Sequence, residues 1–549
     1  MAEPKRKAAG EPELIQTASR AIVHLRAQNR KQRLGLMFGS GASKDLGFPD
    51  WKQLIAAIAI HPEVEAERLL AQIKAESGSP ERSLAGLTHI MFEHFRSRKV
   101  RDLGVSGSIP ALDEQRIKSD WLRIIHEELY RGSDSDSRTQ RMRDHPYLSA
   151  FADIIKKSPL TVNYNFDDAL EKLLRDARDE DERSTTRGYE SADKPNAQFL
   201  HDTGVIYHPN GFLPAAFEDG ASAEVVFSND AFQDQLISAA GGKYVHLSNH
   251  LFRNTCLLIG LSLDDTTLQS MLRQNAVKNP GHIHYIVHFV KSHAELSAAS
   301  REAIFAANYS SYNLYTLFLT AEGISELASL IRMHEDDFNR RFPLKKRKYV
   351  YYVIGSIGAG KSTAAGNFRN LITYDEWTDE RPVELARPQS EFDEETATKL
   401  DAWIAEQFGK KNYALHKCKE GIHLVDRCPL DPLTFPGDRQ RKAENLLEAI
   451  VGEAGDHKVE QGHVILLESS IDELKLRNSL KHKYWSDAKL QELLADIENV
   501  YETVEKTRIC TRGRTAAEVA REIAKVIFLE DYRPVDIEET LNSFAKATA

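Results

Sequence analysis

The 549-residue chain has only four cysteines, Cys256, Cys418, Cys428 and Cys510, and no two of them form a C-x-x-C pair. A zinc ribbon and a disulfide framework are therefore excluded. No apolar run has membrane-spanning length, and the opening MAEPKRKAAG lacks a hydrophobic signal core, so a cytoplasmic location and no membrane partner are expected. Positive charge is not in excess. Lys and Arg number 72 against 82 Asp and Glu, a net charge of −10, which argues against strong binding of nucleic acid. There is no low-complexity tract. With 41% hydrophobic residues the chain is long enough for two or more domains, each with its own core.

What is present is organised around Leu34 to Trp51, LGLMFGSGASKDLGFPDW. An apolar run, Leu34 to Phe38, meets Gly39-Ser40-Gly41-Ala42-Ser43, the way a doubly wound sheet opens its first βα unit. Glycines there let backbone approach a pyrophosphate, and the following helix offers free N–H groups; a plain turn uses the same residues. Gly47, Pro49, Asp50 and Trp51 follow at fixed offsets. The pattern G-S-G-A-S-x-x-x-G-x-P-D-W resembles the NAD-binding signature of the sirtuin family, G-A-G-x-S-x-x-x-G-x-P-D-F. Gly47 comes too late to be the third glycine of the six-position dinucleotide fingerprint.

Other segments extend the resemblance. Residues 1 to about 12 are polar and expected to be disordered, and Leu14 to Asn29 reads as an amphipathic helix. A helical insertion is expected at about 52–157, with loops near Arg96–Pro110 and Gly132–Arg138. A strand then ends in Thr161-Val162-Asn163-Tyr164-Asn165, similar to the family's T-x-N-x-D segment. The resemblance puts Thr161 and Asn163 at the NAD, Asn163 beside the nicotinamide ribose, with Asn165 in place of the aspartate; Asp167 reads as a helix cap. VIYHPNGFLP, Val205 to Pro214, is similar to the family's H-x-H-G segment, whose histidine before the glycine is the general base. His208 and Gly211 fit, but Asn210 stands where that base belongs, and an amide takes no proton at neutral pH. Either His208 supplies the base from two residues upstream, or the domain binds NAD and cleaves it poorly. Pro209-Asn210-Gly211 is also a favoured turn.

Val225 to Asp230 reads as a strand and polar turn. Cys256 to Ile259 reads as a buried strand entering Gly260-x-Ser262-x-x-Asp265, which resembles the family's late NAD-contacting loop; Asp264 and Asp265 serve equally as helix caps. Strands are expected at His282–Val290 and Asn313–Leu319. Over about residues 14–330 the chain resembles the zinc-free sirtuin-like NAD hydrolases of bacterial anti-phage systems. The missing zinc cysteines disfavour a deacylase. The resemblance implies NAD as substrate, a homo-oligomer and a phage-derived trigger.

A second motif begins after a basic, proline-containing stretch, Arg340 to Lys348. A strand, Tyr349 to Ile354, enters Gly355-Ser356-Ile357-Gly358-Ala359-Gly360-Lys361-Ser362-Thr363, which fits G-x-x-x-x-G-K-[ST] in full. Its N–H groups form a phosphate nest, Lys361 reaches the terminal phosphates and Ser362 ligates Mg²⁺. The expected ligand is ATP or a deoxynucleotide. A further strand, Ile422 to Val425, ends in Asp426-Arg427 before the apolar Cys428 to Phe435, which resembles nucleoside and nucleotide monophosphate kinases. That resemblance assigns Asp426 and Arg427 to the phosphate site and Asp426 with Ser362 to Mg²⁺. It also implies a lid around Arg477, Lys481, His482 and Lys483. Asp375, Glu376 and Glu380 are the candidates for a catalytic carboxylate.

The expected fold is α/β. An N-terminal Rossmann-like parallel sheet with the helical insertion occupies 1–343, and a C-terminal P-loop kinase-like α/β domain occupies 344–549. The expected function is hydrolysis of NAD to nicotinamide and ADP-ribose, gated by the nucleotide-binding domain, in anti-phage defence. The alternative is a nucleoside or nucleotide kinase regulated by NAD or ADP-ribose held in a catalytically weak sirtuin-like domain.

Overall fold

The computed structural model describes residues 13–76, 84–104, 108–132, 135–176, 189–194, 199–216, 220–240, 244–343, 345–368, 370–386, 392–452, 457–481 and 484–546. The polar segment 1–12 and the lid residues His482 and Lys483 lie outside the described residues.

Apolar pentapeptides with no alternation belong in strands covered on both faces. Leu34–Phe38 (β1) and Thr255–Ile259 (β5) are such strands, buried at every position. Between them come Thr161–Asn163 (β2), Glu190–Ala192 (β3) and Val205–Tyr207 (β4); His284–Phe289 (β6) and Leu314–Leu319 (β7) follow. Together they form a parallel seven-stranded sheet in the order β3-β4-β2-β1-β5-β6-β7. The strand order reverses at β1, which pairs with β2 on one side and β5 on the other. Phe38 is in register with both Asn163 and Ile259, so three carboxyl ends meet where open α/β sheets bind ligands. Met37, Val162, Tyr207, Leu258 and Leu272 belong to one buried cluster beneath them.

The insertion is helical: Trp51–Ile60, Glu67–Glu76, Leu84–Asp102, Ala111–Tyr130 and Ser135–Asp144. The loop expected from Arg96 onward instead continues as helix to Asp102, with the Arg96 guanidinium on Glu114 at 3.0 Å. Its charged residues are a solvated helix face rather than a break. Val225 to Phe227, expected as a strand, is irregular chain leading into the helix Asn229–Ala240.

The second sheet is parallel and five-stranded. Its strands are Lys348–Gly355 (β8), Ile372–Tyr374 (β9), Gly421–Asp426 (β10), His463–Glu468 (β11) and Lys506–Cys510 (β12), in the order β12-β11-β8-β10-β9. Val350, Tyr352, Phe408, Val425 and Leu466 are part of its buried core. The fold is thus mixed α/β with two parallel sheets.

Two compact units result: Gln28–Asn275 with Ile283–His334, and Met1–Ala27 with Ala276–His282 and Glu335–Ala549. The start of the helix Ser19–Arg30 belongs to the second of these. Arg20 Nη1 donates to the carbonyls of Ile527 at 2.7 Å and Val526 at 3.3 Å, at the end of the helix Ala516–Phe528. His24 Nε2 lies 2.9 Å from the Asn370 carbonyl, and the buried Arg26 pairs with Glu420. No described helix is long and apolar enough to cross a membrane.

Candidate functional site

At the end of β1 the chain turns through Gly39 into a single helical turn, Ser40–Ser43. The glycines are used for close approach. Gly39 N–H donates to the Ile259 carbonyl at 3.0 Å and Gly41 N–H to the Gly260 carbonyl at 3.1 Å. A Cβ on Gly41 would stand 2.9 Å from Gly260 Cα, and one on Gly260, at φ +68°, would stand 2.4 Å from the Ala42 nitrogen. The turns after β1 and β5 therefore touch backbone to backbone. Ala42 and Ser43 are buried, while Ser40 and Gly41 remain exposed. Asp50 caps the helix Trp51–Ile60 in a reciprocal box with Gln53, both bonds 2.9 Å, and Pro49 precedes it half-buried. Trp51 stacks on Phe227 at 5.4 Å. Pro49, Asp50 and Trp51 thus have local structural work.

Asn165, not counted among the expected site residues, joins the β2 end to this bend. Its Nδ2 donates to the Gly39 carbonyl at 3.1 Å and to Ser43 Oγ at 2.9 Å. Asn163 Oδ1 accepts from Asn165 N–H at 3.2 Å. Asn163 Nδ2 is buried with no hydrogen-bond partner, as is Thr161 Oγ1. Asp167 is buried, accepts from Ala169 N–H at 3.1 Å, and its carboxyl is pushed up to about 7 by burial, with Asp168 and Glu171 nearby. It caps its helix and titrates near neutrality.

His208 is fully buried with both ring nitrogens engaged: Nδ1 is 3.0 Å from the Asn165 carbonyl and Nε2 is 2.8 Å from Glu171 Oε1. The Asn165 carbonyl only accepts, so Nδ1 carries a hydrogen, and the Glu171 carboxylate stands against Nε2. Burial opposes the charge, but Glu171 outweighs it and the pKa lies above its ordinary value. His208 is thus held between Glu171 and the Asn165 carbonyl, with both ring nitrogens occupied by the protein. Asn210 is also buried. Its Nδ2 donates to the Tyr164 carbonyl at 3.4 Å and its Oδ1 accepts from Gln235 Nε2 at 3.1 Å, so it fastens loops together. After β5, Ser262 is exposed, and Asp265 caps the helix Thr266–Lys278 through Leu268 N–H at 2.8 Å. The structure thus gathers Gly39, Ser43, Asn163, Asn165 and Gly260 at the joined carboxyl ends of β1, β2 and β5.

In the second unit, Gly355 to Thr363 connects β8 to the helix Lys361–Ala365. Gly360 takes φ +100°, and a Cβ there would meet nothing within 4 Å among the described residues. Gly358 faces Asn478, whose Nδ2 donates to the Ile357 carbonyl at 3.1 Å. Ala359 is buried and Thr363 exposed. Lys361 Nζ donates to the Gly355 carbonyl at 2.7 Å and the Ser356 carbonyl at 3.2 Å; burial, with Arg427 adding, brings its pKa down to about 8. Ser362 Oγ donates to Asp426 Oδ2 at 2.5 Å, and Asp426 Oδ1 is buried and unpartnered. A hydroxyl beside an unsatisfied carboxylate oxygen fits Mg²⁺.

Arg427, at φ +74°, is the first residue after β10. Its Nη2 lies 2.7 Å and its Nε 2.9 Å from Glu376 Oε1, and Nη1 is 3.5 Å from Asp431 Oδ2. The rings of Trp377 and Phe435 lie at 5.8 and 5.6 Å. Of the three candidate carboxylates, Asp375 and Glu380 are exposed, and Glu376 is the one that meets Arg427. Burial raises the Glu376 pKa, but Arg427 and Lys361 bring it below the usual value. Arg477 is committed to Thr511 and Glu473 rather than turned toward a phosphate.

Comparison with known proteins adds a partial placement. Residues 159–317 match the family model described as SIR2-like domain. That stretch carries Asn163, Asn165, His208, Asn210 and Gly260 and begins after the glycine bend. No curated protein matches the chain. Among solved structures it is similar to deoxyadenosine kinase from M. mycoides with bound dATP, at 14% identity over 32% of this chain and 95% of that one, TM-score 0.24. It is also similar to shikimate kinase from Acinetobacter baumannii in complex with shikimate, at 16% identity over 34% and 96%, TM-score 0.23.

Proposed function

We propose that the first unit binds NAD and breaks its nicotinamide–ribose bond, and that the second binds a nucleoside triphosphate and gates that reaction. Water adds to the ribose C1′ as the glycosidic bond breaks, giving nicotinamide, ADP-ribose and a proton. The observation that carries this reading is Asn163 Nδ2, a buried donor without a partner where the carboxyl ends of β1, β2 and β5 meet. An unsatisfied buried donor costs about 1–3 kcal/mol, a cost removed by a ribose hydroxyl or a carboxamide oxygen. Asn165 fixes the bend beside it. Nicotinamide leaves neutral and needs no acid. A positioned base typically adds about 10²–10⁴-fold. With both nitrogens of His208 occupied by Asn165 and Glu171 and Asn210 an amide, that contribution is reduced, so the reaction is slow and rests on orientation and exclusion of water. Slow, gated NAD loss suits defence by NAD depletion, the role implied by the resemblance to anti-phage NAD hydrolases. The test is chromatography of NAD incubated with the full chain, with and without ATP or deoxynucleotides. Nicotinamide release that falls tenfold or more in Asn163→Ala is expected; no release from the wild type under any nucleotide sinks the reading.

A second reading is favoured by Glu376 and Arg427. Here the second unit is itself a nucleoside or nucleotide kinase, and NAD or ADP-ribose is a regulatory ligand. Lys361 holds the transferred phosphate, and Arg427 orients Glu376, whose ionised carboxylate takes the proton of the acceptor hydroxyl. Ser362 and Asp426 would hold Mg²⁺, which supplies charge neutralisation to the phosphates when bound. Arg427 is committed to two carboxylates and Lys411 to the carbonyls of Asp426 and Glu376, which leaves neither for an acceptor phosphate and favours a nucleoside. Labelled ATP with each deoxynucleoside decides it: a labelled monophosphate that disappears in Glu376→Gln supports the kinase.

A further inference from the structure

Neither proposed reaction gives Asp431 a task, although it shares Arg427 with Glu376. Asp431 opens the short helical turn Asp431–Thr434 and is 4% exposed. Its two oxygens are placed differently. Oδ1 accepts from Tyr501 OH at 2.6 Å. Tyr501 is fully buried, directly after the helix Asp487–Val500, and burial holds its phenol pKa well above the ordinary value, so the phenol is the donor. Oδ2 faces Arg427 Nη1 at 3.5 Å, beyond the roughly 2.7–2.9 Å of a tight charge-assisted bond, and accepts no hydrogen bond among the described residues. The same guanidinium meets Glu376 closely, at 2.7 Å through Nη2. One oxygen of Asp431 is therefore fixed and the other has a lone pair to spare.

Two small hollows border this pair. One of about 10 Å³ is lined by Arg427, Asp431 and Phe435 with Gly355 and Ser356 of the phosphate loop; the other, of about 20 Å³, is lined by the same three with Trp377. One water needs roughly 10–15 Å³ in this measure of volume, so each hollow has room for about one oxygen.

We propose that Asp431 selects the phosphate acceptor, its Oδ2 binding a second hydroxyl of the molecule whose first hydroxyl gives its proton to Glu376. The guanidinium of Arg427 keeps the two carboxylates apart, so one hydroxyl does not serve both. The acceptor class is a compound with two hydroxyls about the breadth of a guanidinium apart, which a deoxyribose supplies through its 3′ and 5′ oxygens. Tyr501 is the positioning residue: without its bond Asp431 is free to turn and close the long contact to Arg427. Burial raises the Asp431 pKa, opposed by Arg427, Lys361 and Tyr501; in either protonation state a carboxyl bonds a hydroxyl.

This selection rests on the kinase reading of the second unit, so transfer and binding are measured separately. The full chain is given ATP, Mg²⁺ and each deoxynucleoside or its 2′,3′-dideoxy counterpart, and KM is compared within each pair. Calorimetry without ATP compares the two affinities. The wild type should prefer the deoxynucleoside about tenfold or more in both, the size of one hydrogen bond to a charged group. The preference should vanish in Asp431→Ala and shrink at least about threefold in Tyr501→Phe. A merely structural role would weaken both ligands alike and leave the ratio intact. If Asp431→Ala does not fold, Asp431→Asn keeps an oxygen for Tyr501 and should also shrink the ratio. A wild type indifferent to the missing hydroxyl, or a ratio unchanged in the variants, overturns the proposal while phosphorylated product upholds the kinase reading. Preferential binding with no product removes the kinase reading and keeps the assignment of Asp431; neither binding nor product removes both.

Discussion

Gly360, after β8, and the glycines after β1 look alike in sequence and are used differently. At Gly360 a side chain would point into open space among the described residues, the room a phosphate needs. At Gly39 and Gly41 that room is filled by the backbone of Gly260. The turn after β8 leaves Gly360 open, while the bend after β1 is closed by its own chain and leaves Ser40 and Gly41 exposed. The side chains differ in the same sense. Lys361, Asp426, Glu376 and Arg427 form a charged set with an unsatisfied carboxylate oxygen, whereas the bend is held by neutral amides from Asn163 and Asn165. A glycine-rich turn alone therefore does not specify a phosphate site.

The largest effect that sharpens this contrast is at Lys361. In Lys361→Ala, nucleotide-dependent phosphoryl transfer should fall about 10²–10³-fold, the size of one lost electrostatic contact to a developing charge. NAD loss should stop responding to added nucleotide. Equal response in the variant, measured as nicotinamide released with and without ATP, separates the two sites completely and removes the gating. Next in size is Asn210→His. If an absent base limits the first site, an imidazole there should raise NAD cleavage by about 10²-fold, with a new dependence on pH near 6–7. No gain would mean that orientation alone sets the rate, and would favour the regulatory-ligand reading.

The second motif was legible because its residues are consecutive: Gly355 to Thr363 carries spacing, turn and helix start in nine positions. Most sheet strands were legible as apolar runs; β3, β4 and β9, three residues each, were too short to show a period, and β12 carries Lys506 and Arg508 in its five residues. The first site was legible only in outline. Asn165 ties to residues 126 and 122 positions away, and His208 is matched by Glu171 37 positions away; no local pattern carries such pairings. Glu376 could not be told from Asp375 and Glu380 until Arg427, 51 positions on, chose it. Arg20 read as part of an amphipathic stripe and is a cap on a helix 506 positions later.

The buried charges of the first site make a smaller, pH-dependent contrast with the second. Asp167 titrates at about 7 in the folded chain against an ordinary 3.8, because burial disfavours its ionised form. Folding therefore takes up a proton between about pH 4 and 7, and stability falls as pH rises through that window. His208 acts in the same direction: the stabilisation from its pair with Glu171 is complete below its ordinary pKa and is lost as pH climbs through the raised one. Asp167→Asn keeps an acceptor for Ala169 N–H and removes the ionisation. It should flatten the fall between pH 5 and 8 by about 2 kcal/mol, read from denaturant unfolding of each unit's transition. A slope equal to wild type would place the titration elsewhere.

The smallest effect addresses which unit owns the start of the chain. The last carbonyls of the helix Ala516–Phe528 have no partners within that helix. Arg20 covers two of them, and its positive charge also suits the negative end of the helix. Arg20→Ala should cost about 1 kcal/mol, since the side chain is half-buried and water replaces part of the bond. The loss should appear in the unfolding of the unit that carries Lys361, and added ATP should offset it if the proposed site binds it, with no change in the transition of the glycine-bend unit. Were the second transition to move instead, residues 13–27 would be bound to the first sheet by something stronger than these bonds. The contrast between the two sites would then have to be redrawn, with the amino-terminal helix on the other side.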